Sequence, residues 1–190
     1  MKQLKHFILF IALLMWGVAG FAAEIVYSDP AIVQQSSQNI VIYYNSAEGT
    51  GGLKGYTGDI YAHTGVITSE SNSDSDWKHA PSWGDNSAKY KLTKVSTDLW
   101  KLNIGTLKSY YGLNDGETVR KMAFVFRNAD GSKEGKAAGG SDIFLEVHPD
   151  GLSVALTSSA PSGVVTDANS TVTFSVNASQ SANLSLYINH

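Results

Sequence analysis

Between residues 39 and 148 stretches of apolar and polar alternation with a period of two recur, and a helical period hardly appears. Residues 39–44 predict a strand with Ile40, Ile42 and Tyr44 on one face, and residues 59–68 predict a second. Residues 88–95 and 98–104 read as a hairpin, in which Tyr90 and Leu92 answer Trp100, Leu102 and Ile104 across a turn at Ser96-Thr97-Asp98. The strongest alternation runs over residues 118–127, with Met122, Phe124 and Phe126 in phase. Residues 141–148 follow, with Ile143, Leu145 and Val147 pointing one way. Only residues 106–111 suit a helical turn. Short strands at this spacing predict an all-β sandwich or barrel.

The character of the chain changes after Pro149-Asp150-Gly151. Lys, Arg and Trp vanish, and Ser, Thr, Ala, Val and Asn take over. Residues 152–156, 171–176 and 183–188 alternate as three further strands. An immunoglobulin-like sandwich needs about seven strands, and three alone leave an apolar face and open edges. The expectation is an immunoglobulin-like β-sandwich over residues 23–148, followed by the first strands of a second, incomplete β-sandwich over residues 149–190. The alternative is that these last strands dock on the first domain and complete one larger sandwich.

Ahead of the strands, Lys2 and Lys5 precede an apolar run from Phe7 to Val18 and the small-residue stretch Ala19-Gly20-Phe21-Ala22-Ala23. That order predicts a signal peptide, residues 1–22, cleaved after Ala22. The apolar run is shorter than the roughly 20 residues of a membrane span. Cysteine is absent, which excludes disulfides and lipidation behind the leader. The mature protein is therefore expected to be secreted or periplasmic, with no membrane attachment. Loss of Lys2 and Lys5 with the leader leaves 12 basic residues against 17 acidic ones, a net of −5. That balance points to no nucleic-acid partner and no strongly cationic one.

Catalytic chemistry finds little support. There is no Gly-x-Ser-x-Gly elbow and no thiol. His63, His79, His148 and His190 stand in no metal-ligand spacing. Glu70, Asp74 and Asp76 crowd one Ser/Asp-rich loop, poor scaffolding for a glycosidase pair that must be held at a fixed separation. Asn72, Asp74 and Asp76 alternate like the opening of a calcium loop. The required glycine is missing, however, and Trp83 stands where the twelfth-position Glu belongs. No catalytic residue, metal or cofactor is expected.

Residues 69–87 join two predicted strands and are polar except around Trp77 and Trp83. Sugar rings offer C–H patches that stack on indole faces, while Lys78, His79, Asp85 and Asn86 supply groups for the hydroxyls. Covering about 100 Å² of apolar surface at roughly 25 cal/mol/Å² yields about 2.5 kcal/mol. Association entropy removes much of this, so one site binds weakly, on the order of 0.1–1 mM. In the competing reading a loop tryptophan folds back as a lid on the core, and Trp83 before Gly84 suits that. Trp100, in phase with Leu102 and Ile104, belongs to the core, and Tyr56 and Tyr61 are candidates to extend the aromatic platform.

Asp29-Pro-Ala-Ile-Val-Gln-Gln-Ser36, Ile60-Tyr-Ala-His-Thr-Gly-Val-Ile-Thr-Ser69 and Asp76-Trp-Lys-His-Ala-Pro-Ser-Trp-Gly-Asp-Asn86 resemble the N-terminal region of secreted α-amylase-family glycoside hydrolases of Gram-negative gut bacteria. Ala123-Phe-Val-Phe-Arg127, Asp130-Gly131 and Lys133-Glu-Gly135 continue the likeness, which spans nearly the whole chain. The resemblance implies an immunoglobulin-like domain similar to starch-binding modules, then a second sandwich, then a catalytic (β/α)₈ barrel. The barrel has no counterpart in these residues, so no hydrolytic role is carried over. The implied partner is an α-glucan polysaccharide or maltooligosaccharide, with a catalytic domain in the parent protein as a second contact. Two alternatives compete: a spacer or docking domain of such an enzyme that binds no sugar, and a surface adhesin-like repeat.

Overall fold

A computed structural model describes residues 24–156, 176–183 and 185. Within them the chain is almost entirely β. One antiparallel sheet has the order β1-β2-β5-β4, from β1 (Val26–Asp29), β2 (Ile40–Asn45), β4 (Thr93–Ser96) and β5 (Leu99–Gly105). The other is centred on β6 (Val119–Asn128), which pairs with β3 (Ile60–Thr68) along one edge. Its other edge takes β7 (Glu134–Gly135) and β8 (Ile143–Glu146) in succession. All these pairings are antiparallel.

The core lies between the two sheets, and period-two alternation builds it. Ile40, Ile42 and Tyr44 of β2 and Trp100, Leu102 and Ile104 of β5 face Ile60, Ala62 and Val66 of β3 and Met122, Phe124 and Phe126 of β6. Tyr44 stacks on Phe126 across the gap, with centroids 3.9 Å apart. Each such side chain, fully buried, contributes about 1.5–3 kcal/mol. Gly135 is what lets Tyr44 reach so far, because a Cβ there would collide with the phenol oxygen. The predicted helical turn forms as α1 (Leu107–Tyr111), capped by the Thr106 hydroxyl and stopped by Gly112 at φ 69°.

The expected strand at residues 88–95 is corrected. Residues Ala88–Tyr90 form a 3₁₀ turn, and only Thr93–Ser96 pair in the hairpin, Thr93 with Lys101 and Lys94 with Trp100. Tyr90 and Leu92 are buried, yet they do not sit opposite Trp100 and Leu102. The Leu92 amide donates instead to the Ile60 carbonyl, so this segment leaves β3 and crosses to the first sheet at the edge of the sandwich. β1 and β7 have no counterpart among the predicted strands.

Beyond residue 150, β9 (Val154–Leu156) and β10 (Val176–Ala178) pair with each other and with neither main sheet. β9 falls inside the predicted 152–156, whereas β10 starts where the predicted 171–176 ends. Of the predicted strand at 183–188 only Asn183 and Ser185 are described, and neither is in a strand. The leader, residues 1–22, lies outside the described residues. Gln34 Nε2 donates to the Pro149 and Gly151 carbonyls, and Asp150 accepts from both the amide and the hydroxyl of Ser36, so the connection between the sandwich and the ribbon is held.

Candidate functional site

β3 is buried on both faces over nearly its whole length, and His63 is its one half-exposed residue. Inward residues meet the core. The outward ones, Tyr61, His63, Gly65 and Ile67, are covered because residues 69–87 fold back over that face. Lys78 and Val66 exchange backbone hydrogen bonds of 2.8 and 3.0 Å, which seats the loop against β3. Gly65 permits the approach: a Cβ would stand 2.9 Å from the Lys78 carbonyl oxygen and 3.0 Å from the Ala80 methyl.

Polar side chains then fasten the loop. Asp76 accepts from the Asn72 backbone N–H at 3.0 Å and from Lys78 Nζ at 2.9 Å, and these bonds, the Asn72 one first, hold its carboxyl below the usual range. His79, at φ 55°, contacts Glu117 at 2.8 Å. Lys121 reaches Asp74 at 3.0 Å. Arg127 is 1% exposed and meets no carboxylate among the described residues. Its guanidinium donates to the Asp85 carbonyl at 2.7 Å, Asn86 Oδ1 at 2.8 Å and the Asn128 carbonyl at 3.0 Å. Its plane also lies 5.8 Å from the ring of Trp83 and 5.6 Å from that of Tyr61.

On this platform sits an open cleft of about 400 Å³, at the low end of the range for small-molecule sites. His63 is its centre. Trp77 lies nearly parallel to the imidazole, centroids 5.6 Å apart at 24°, and Trp83 meets it edge-on, 4.8 Å apart at 67°. The two indoles are therefore far from coplanar. Trp77 is half-buried and anchored by its Nε1, which donates to the Asp74 carbonyl at 3.0 Å. Trp83 is 51% exposed. Val125 supplies apolar floor, and Asp76, Asp142 and Lys136 supply charge. Burial pushes the His63 imidazole below its ordinary pKa and the Arg127 charge adds to this, against an opposing pull from Asp142. At neutral pH the ring is uncharged, and its buried Nδ1 has no hydrogen-bond partner among the described residues.

Of the six residues that the sequence pointed to, Trp77 and Trp83 line the cleft. Lys78, His79, Asp85 and Asn86 do not; each is engaged in holding the loop to β3, Glu117 or Arg127. Tyr61 is buried under Arg127 and extends no platform, and Tyr56 packs against the core. Trp100 is 3% exposed in the core, whereas Trp83 rests on the outside of the second sheet against His63 and Arg127.

His63, Asp142 and Lys136 were missed as site residues. The apolar character of Tyr61 and Ile67 beside His63, on the face opposite Ile60 and Ala62, was the available signal that β3 is covered on both sides. Asp142 and Lys136 carry no such signal. Among the described residues no group of three or more His, Asp or Glu could hold a metal ion, and no helix is long and apolar enough to cross a membrane. The chain matches no protein-family model and no curated protein sequence.

Proposed function

We propose that the chain is a non-catalytic α-glucan-binding module, the immunoglobulin-like front of a secreted α-amylase-type glycoside hydrolase, exported by residues 1–22. The observation that carries this reading is the pair of indoles, half-buried Trp77 and exposed Trp83, set at an angle around His63 in one open cleft. A β-linked glucan is a flat ribbon and suits coplanar rings. An α-linked glucan curves, so successive sugar faces turn relative to one another and suit rings held at an angle. Asp142 and Lys136 beside the indoles supply an acceptor and a donor for the hydroxyls at the sugar edge. The likeness of residues 29–36, 60–69 and 76–86 to amylase N-terminal regions points to the same ligand class.

The competing reading, a docking or spacer domain that binds no sugar, draws on the structural employment of Lys78, His79, Asp85 and Asn86. Migration of the purified chain in a native gel containing amylopectin separates the two. Retardation that Trp77→Ala abolishes supports the binding module; unaltered migration at high glucan load supports the spacer.

A further inference from the structure

The cleft does not end at Asp142. On the far side of that residue a second groove of about 330 Å³ opens where β1 comes against β8. Glu24, Ile25, Val26, Ala137, Ile143 and Phe144 line it, and Asp142 lines both spaces. Phe144 makes a second join, because its ring meets that of Trp77 edge to face at 6.4 Å. The groove is built from ordered backbone: the Asn45 amide donates to the Ile25 carbonyl at 2.8 Å, and Phe144 pairs with Ala123 in the sheet. Ile25, Val26 and Phe144 are left half-exposed there.

Asp142 sits loosely between the two spaces, its side chain 36% exposed and 4.0 Å from Lys136 Nζ. Among the described residues its carboxylate oxygens accept no hydrogen bond, which leaves them to accept from hydroxyls on either side. The lining thus passes from the indoles, through the Asp142 carboxylate shared by both spaces, to phenyl and aliphatic groups with the Glu24 carboxylate among them. A hexose polymer has the matching order, an apolar ring face followed by a hydroxyl-rich edge, repeated unit by unit. We infer that a linear α-glucan runs from Trp83 past Trp77 and Asp142 into the groove at the β1–β8 seam, so the site is selective for long oligosaccharides. This rests on the glucan-binding reading and extends it to chain length.

Calorimetry on the full chain with maltotriose and maltoheptaose tests it. The heptasaccharide is expected to bind on the order of 30-fold tighter, from the additional apolar area covered. Ala137→Phe fills the groove at a position with φ −62° and ψ 164°, which phenylalanine adopts freely. That variant is expected to bring heptasaccharide affinity to within a few-fold of its own trisaccharide affinity. A gain no greater than the few-fold supplied by extra binding registers in the native chain overturns the inference, and so does a length preference that survives Ala137→Phe. A shift in sedimentation with Ala137→Phe and no change in sugar affinity assigns the groove to protein contact and also overturns it. Trisaccharide binding without any length gain removes this inference alone; no binding of either sugar removes the glucan reading with it.

Discussion

The guanidinium of Arg127 lies 5.8 Å from the ring of Trp83 and donates, 2.7 Å away, to the backbone of Asp85 two residues further on. One buried cation thus fixes both the turn that carries the exposed indole and the ring itself. Its hydrogen-bond partners among the described residues are carbonyl and amide oxygens, so there its desolvation is offset by hydrogen bonds and not by an ion pair.

Arg127→Met leaves those oxygens without their donor, and the expected cost is about 2–4 kcal/mol of stability, read from urea denaturation. Arg127→Lys keeps the charge and loses the fork that serves Asp85 and Asn86 together, so it should recover only part of that loss. Full recovery with Lys would mean that charge alone matters at this position.

Gly65→Ala tests the seating of the loop. The added methyl meets the Lys78 carbonyl at 2.9 Å and the Ala80 methyl at 3.0 Å, both on the loop. A destabilisation of about 1–3 kcal/mol is expected, together with a change in tryptophan emission as Trp77 shifts from His63. Native-like emission and stability would show that the loop approaches β3 less closely than these distances require.

His63 provides a pH test. Its folded pKa is lowered, chiefly by burial, so between that value and the ordinary 6.5 the unfolded chain binds a proton that the folded chain does not. Stability contributed by the neutral ring is complete above 6.5, falls as pH drops below it, and levels off below the folded value. The imidazole C–H resonance of His63, followed by NMR, should titrate below 6.5, and His63→Gln should flatten that part of the stability profile. A midpoint at or above 6.5 would contradict the burial of this ring.

Much of the sandwich was legible because β2, β5 and β6 each bury alternate residues against one core. β1 and β7 were not, being four and two residues long, too short for a period to show. Tyr90 and Leu92 misled because alternation also suits a segment that crosses between sheets. In the site, Trp77 and Trp83 stood out as large apolar residues in a polar loop. Their polar neighbours Lys78, His79, Asp85 and Asn86 do not line the cleft, because a loop must first satisfy its own turns and its contacts with the body of the domain. His63 and Asp142 are far apart in sequence and reach one cleft through the register of β3 on β6 and of β8 on β6. No local pattern reports such a register.

Glucan binding at the paired indoles is tested most directly by affinity electrophoresis in amylopectin with the native chain, Trp77→Ala and Trp83→Ala run side by side. Retardation of the native chain, abolished by Trp77→Ala and strongly reduced by Trp83→Ala with the fold intact by circular dichroism, is the predicted result. Equal migration of all three at high glucan concentration, or retardation that both substitutions leave unchanged, would contradict it.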